Sequence, residues 1–176
     1  MKKIIPILLI AVMLYYVSSC EKDDICVDGD TPLLIVGFYN VEDTTAFKRV
    51  ESIRIRNIDI DSIISKDSYK GAFNDRSNIA DSILVPLRSN AVTTMYQIIS
   101  GSQDDADTGE ETGNIDTLTI SYDLGEAFVS RACGFVVNYN NITVTLNEGA
   151  ENWIQDISVV QPNVANTDSI HVKIFH

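Results

Sequence analysis

The sequence predicts an all-β domain, an antiparallel β-sandwich of Ig-like or jelly-roll-like layout, with a β-barrel as the alternative. Three observations predict it. Short segments rich in Ile, Val, Thr and Tyr recur between clusters of Asp, Asn, Gly and Ser. Several of them alternate apolar and polar residues with a period of two. No stretch holds a helical apolar period beyond two turns; residues 62–72 and 76–82 come nearest.

Leu33 to Tyr39 is continuously apolar, as expected of a strand covered on both faces. Ser52-Ile53-Arg54-Ile55-Arg56 alternates, with Ile53 and Ile55 facing in. Ile58 and Ile60 have the opposite parity, so Asn57 marks a bulge or turn. Ile83 to Arg88 and Val92 to Ile99 read as a hairpin around Ser89-Asn90, and Pro86 places the first at an edge or bulge. The polar, acidic segment Ser102 to Asn114 reads as a long, mobile hairpin tip. Leu118, Ile120 and Tyr122 then alternate with Thr117, Thr119 and Ser121, a half-buried strand. Asp123-Leu124-Gly125 predicts a turn into a strand from Ala127 to Val137, and Asn138-Tyr139-Asn140-Asn141 predicts the next turn. Ile142, Val144 and Leu146 face in. Trp153 to Val160 and Ile170 to Phe175 complete the set.

The amino terminus is of another kind. Met1-Lys2-Lys3 is cationic, and Ile4 to Val17 is an apolar run of fourteen residues. A membrane span needs about 20 apolar residues, so this length fits a cleaved secretory leader instead. Val17-Ser18-Ser19-Cys20 closes the run and resembles the bacterial lipobox. That resemblance implies a diacylglycerol on the Cys20 thiol, cleavage before Cys20 and acylation, typically palmitate, of the new amino group. Glu21-Lys22-Asp23-Asp24 resembles the acidic export signal of surface lipoproteins in the Bacteroidota. It implies display on the outer leaflet of the outer membrane, with the periplasmic face as the alternative. The expected organisation is a lipoprotein signal peptide over 1–19, a lipidated tether over 20–31 and a single β domain over 32–176.

Removing the leader leaves 11 basic residues against 25 acidic ones, a formal charge of −14. Such a surface repels phosphate backbones, so nucleic acid is not an expected partner. With Cys20 acylated, Cys26 and Cys133 remain, and an even pair in an exported chain reads as a disulfide. A metal site is the rival, but two thiols without nearby histidines fall short of four ligands. Cys20 and Cys26 stand six residues apart, so an extended tether covers at most about 20 Å. A stapled domain therefore stays close to the membrane.

Val129-Ser130-Arg131-Ala132-Cys133-Gly134-Phe135, Trp153-Ile154 and His171-Val172-Lys173-Ile174-Phe175-His176 form one set of motifs. Cys26, Thr31-Pro32-Leu33-Leu34-Ile35 and Phe38-Tyr39-Asn40 form another. Together they resemble a family of uncharacterised lipoproteins of the Bacteroidota, chiefly flavobacteria. The resemblance implies a small outer-membrane lipoprotein and brings no activity, substrate or catalytic residue with it.

Constellations with known chemistry are weak. Asp105, Asp107 and Asp116 have partial calcium-loop spacing, but Gly109 and Glu110 stand where the loop needs an acidic ligand and the turn glycine. His171 and His176 lie five apart on one predicted strand and so point to opposite faces. His171 shares a face with Lys173, which predicts exposure. No catalytic residue, metal site or cofactor is expected, and the chain does not read as an enzyme. Five sites, beginning at Asp43, Asp61, Asp81, Asp116 and Asp168, match an Asp-Ser/Thr-aliphatic or Asp-Thr-Thr pattern resembling Bacteroidota O-glycosylation sites. The eight aromatics Phe38, Tyr39, Tyr96, Tyr122, Phe128, Phe135, Tyr139 and Trp153 are expected mainly in the core. The expected function is a lipid-anchored protein with a binding or structural role, touching the membrane through its anchor. An accessory subunit docked on an envelope protein partner is one alternative, and an envelope hydrolase is a remote one.

Overall fold

A computed structural model describes residues 31–64, 75–79, 81–147, 149 and 151–176. The predicted leader, Cys20, the Glu21–Asp24 signal and Cys26 lie outside the described residues. Two compact units are present: a body of Asp30–Ala127 with Val136–His176, and a unit whose described part is Phe128–Phe135. All described regular elements are strands.

The body is built from two sheets. The first has the order β5-β1-β10-β9, from β1 (Leu34–Tyr39), β5 (Ser82–Val85), β9 (Asp156–Val159) and β10 (Val172–Phe175). β1 pairs antiparallel with β5 and parallel with β10, with Val36 opposite Val172 and Phe38 opposite Ile174. This pairing encloses β1 within the sheet, and all six of its residues are buried, as its unbroken apolar run predicts. The parallel pair makes this sheet mixed.

The second sheet has the order β3-β2-β6-β7-β8: β2 (Val50–Asn57), β3 (Ser62–Ile63), β6 (Thr93–Asp104), β7 (Glu111–Ser130) and β8 (Gly134–Leu146). A short strand β4 (Ser77–Ile79) also pairs with β2. Neither sheet closes into a barrel. The inward residues of both form one core. Leu34, Val36, Phe38, Val172 and Ile174 come from the first sheet. Ile53, Ile55, Tyr96, Ile98, Leu118, Ile120, Tyr122 and Ile142 come from the second. This is a β-sandwich, the fold class the alternation predicts.

Several local expectations are corrected. Ile83–Arg88 and Val92–Ile99 are not a hairpin, because β5 and β6 belong to different sheets. Pro86 follows the end of β5, an edge strand, and the chain crosses between layers there. Three core tyrosines satisfy the crossing's carbonyls. Tyr96 donates to Pro86 O, Tyr139 to Leu87 O at 2.9 Å, and Tyr122 to Arg88 O at 2.9 Å. Burial raises all three phenols, that of Tyr139 to about 12, so each remains a donor at neutral pH.

Asp123-Leu124-Gly125 does not turn the chain; β7 runs through it. Gly125 is small for another reason: a Cβ there would come within 2.6 Å of Asn140 Nδ2. Asn138–Asn141 likewise lies inside β8. Asn141 takes the left-handed conformation, φ 53°, and its side chain donates to Asp123 Oδ2 at 2.8 Å. The asparagines thus kink a strand and tie it to its neighbour instead of ending it. Residues 77–79 are a strand, not a helix, because β2 offers them backbone partners; 65–74 lie outside the described residues. The Ser102–Asn114 loop is shorter than predicted. The β6–β7 ladder extends to Asp104 opposite Glu111, and Ser102 is 1% exposed.

Candidate functional site

Of the lipidation, export-signal and disulfide residues, Cys133 alone is described. β7 ends at Ser130, Arg131-Ala132-Cys133 turn the chain, and Gly134 opens β8 at φ 72°, the left-handed backbone that a tight hairpin return needs. The Cys133 N–H donates to Ser130 Oγ at 3.0 Å, which closes the turn. Phe128 and Phe135 flank it. Their rings meet edge to face, centroids 5.4 Å apart, yet they are 59% and 67% exposed.

The exposed pair are the two exceptions to the expectation that the aromatics lie mainly in the core. Phe38, Tyr39, Tyr96, Tyr122 and Tyr139 are buried and Trp153 is half-buried, but Phe128 and Phe135 are not. A signal was present in the sequence. Leu118, Ile120 and Tyr122 share a parity that continues through Leu124, Glu126 and Phe128, and burial on that face ends at Tyr122, with Leu124 already 41% exposed and Glu126 the polar residue between it and Phe128.

Among the described residues, the largest cluster of ion pairs spans β2, β6, β7 and the segment before β4. Arg54 holds Asp75 through two hydrogen bonds of 2.9 and 3.0 Å, and Glu111 at 2.9 Å. Arg76 pairs with Asp104, and its Nε donates to Ser102 Oγ at 2.9 Å. Ser102 Oγ in turn donates to Glu111. Each guanidinium is matched by carboxylates, and the pair to Arg76 holds Asp104 below the usual carboxylate range. The arrangement clasps the β4 segment onto the sheet and leaves no cation presented to an anionic ligand within it.

Asp116 does not join Asp105 and Asp107. It lies opposite Ile98, five residues along β7 from Glu111, and is 2% exposed. Its Oδ2 accepts the Ile154 N–H at 2.8 Å, while Oδ1 has no hydrogen-bond partner. Burial raises its pKa, opposed by the backbone N–H groups of Ile154 and, more weakly, Trp153. Its contribution to stability is therefore greatest in acid and is lost as pH rises through its folded value. Asp105 instead caps its own turn, accepting from the N–H groups of Asp107 and Thr108 at 3.0 and 2.8 Å. Among the described residues, no group of three His, Cys, Asp or Glu side chains could hold a metal ion.

His171 corrects a further expectation: it is fully buried, not exposed beside Lys173. It precedes β10, where its Nδ1 accepts the Ile35 N–H at 3.1 Å, so the ring's proton sits on Nε2, which has no partner. His176 packs edge-on to Trp153, centroids 5.3 Å apart, beside the Lys48 carbonyl at 3.2 Å. Burial lowers both imidazole pKa values; at His176 the Lys48 carbonyl partly offsets it.

The sign of the pH dependence follows. In the unfolded chain both rings take a proton as pH falls below about 6.5, while the folded protein resists. Their contribution is full above that pH and declines below it. The thermal midpoint is expected to fall between about pH 7 and pH 5. His171→Gln, which keeps an acceptor for Ile35, should show a shallower fall. Parallel pH profiles for the two proteins would contradict this role for His171.

An open groove of about 570 Å³ runs along the end of β8 and the 149–157 segment. It is lined by Val144, Leu146, Asn152, Ile154, Gln155 and Asp156 among others, a mixture of apolar and polar side chains. Of the five Asp-Ser/Thr sites, that at Asp43 presents an exposed hydroxyl residue, Thr44; Ser62, Ser82, Thr117 and Ser169 are half-buried.

The chain belongs to a family of unknown function, DUF6452, which matches residues 52–176. No curated protein and no solved structure matches it.

Proposed function

We propose that this protein is an acylated outer-membrane lipoprotein, displayed at the cell surface, with a binding or structural role and no catalytic one. One observation carries the reading: a cationic start, an apolar run too short to span and two serines converge on Cys20, with Glu21-Lys22-Asp23-Asp24 directly after it. The polar chemistry of the body is consistent with it. Buried hydroxyls hold turn carbonyls, buried Asp116 and His171 accept backbone N–H groups, and the charged cluster is internally matched. Cys26 and Cys133 form a disulfide in this reading. It would close a loop of more than a hundred residues, worth about 4–5 kcal/mol in the chain-entropy account.

Non-reducing peptide mapping should join the peptides that hold Cys26 and Cys133. Alkylation of both thiols without prior reduction would sink the link. The role itself is read by pull-down of the native protein from detergent-solubilised outer membrane. A binding role predicts a recurrent partner or glycan at the exposed surface. A single stoichiometric membrane-protein partner would instead make the chain an accessory subunit of an envelope complex. Protease added to intact cells should digest the domain, and resistance until the outer membrane is opened would place it on the periplasmic face.

A further inference from the structure

We infer that the hairpin tip Phe128–Phe135 seats in the interfacial layer of the membrane that holds the anchor, an inference that rests on the acylated Cys20 and on the Cys26–Cys133 link. Two rings exposed by more than half lie on either side of the turn that contains Cys133. Their edge-to-face contact presents both as one apolar wedge. The tether sets where this wedge can be. Six residues separate Cys20 from Cys26, so the Cys133 turn lies within about 20 Å of the acyl attachment point, while interfacial side chains need to reach only about 5–10 Å into the headgroup boundary.

Charge points to the same occupant. The mature chain is strongly acidic, yet the 21 residues from Ala127 to Asn147 contain no Asp or Glu and a single charge, the cationic Arg131 of the turn. A bilayer surface with anionic headgroups would repel the acidic remainder and accept this tip. Phe and Arg side by side suit the boundary between acyl chains and headgroups, where the ring enters and the guanidinium meets phosphate.

The test uses the lipidated mature protein, purified from its membrane and reconstituted into vesicles of phosphatidylethanolamine and phosphatidylglycerol. Phe135→Trp and, independently, Phe128→Trp report on the tip, against the constant background of Trp153. The added emission should shift to the blue, lose intensity to lipids brominated near the headgroup and resist iodide. Should either variant melt below the parent, protection of the native Phe128 and Phe135 from hydroxyl-radical oxidation, read by mass, answers the same question. Added emission as open to iodide in vesicles as in an unacylated chain in buffer would overturn the inference. So would protection in native membrane fragments but not in protein-free vesicles, which would assign the tip to a protein partner. The acyl mass is read on the same preparation. A missing acyl group removes the anchor and this inference together, whereas an acylated protein with a wet tip removes this inference alone.

Discussion

A chain with Cys20 replaced by Ala, carried by an ordinary cleavable leader, should leave the membrane pellet and appear as soluble protein. The effect is expected to be close to complete. Each buried methylene contributes about 0.8 kcal/mol, one acyl chain binds marginally, and two or more hold a protein for practical purposes without exchange. Losing the Cys20 sulfur removes every chain that depends on it. What remains is the strongly acidic body and a small aromatic tip, and neither replaces that buried area. Fractionation followed by immunoblotting checks the result. Retention equal to the parent's would mean that some other part of the chain holds the membrane.

The second large effect is on folding. Tyr139→Ala should destabilise the body by about 3–5 kcal/mol, lowering the thermal midpoint by roughly 10 °C. Tyr139 is fully buried in the core, its ring meets Tyr122 edge to face at 5.0 Å, and its backbone bridges Val164. Truncation to alanine opens a cavity where the two sheets face each other and leaves Leu87 O without its donor. Tyr139→Phe separates the terms: it keeps the ring and should cost only about 1–3 kcal/mol for the unsatisfied carbonyl. Chemical denaturation of the three proteins checks this. Equal losses for Phe and Ala would show that the hydroxyl, not the ring, carries the site.

The fold class was legible where local pattern and burial agree. The unbroken apolar run of β1 becomes a strand buried on both faces, and Ile53 and Ile55 point inward as their alternation requires. What the sequence concealed were choices made by tertiary contact. The Ser89-Asn90 pair has the chemistry of a hairpin, but three tyrosine hydroxyls, from β6, β7 and β8, hold the carbonyls of the crossing between layers. Gly125 and the asparagines of β8 look like punctuation, yet they serve close strand approach and a kink, which no local rule distinguishes from a turn. His171 looked exposed because Lys173 shares its parity. Its position ahead of β10, under the Ile35 N–H, decides its burial instead. In the candidate site, Cys133 stood out in the sequence, but the exposure of Phe128 and Phe135 did not. An aromatic residue on an alternating strand is ordinarily core, and the polar Glu126 on the same parity was too weak a signal to outweigh that expectation.

The most direct measurement is mass spectrometry of the amino-terminal peptide from the protein as isolated from its own membrane. The predicted peptide begins at Cys20 and carries a thioether-linked diacylglycerol and an acylated amino group. A peptide that begins at another residue, or at a Cys20 with an unmodified sulfur, would contradict the account.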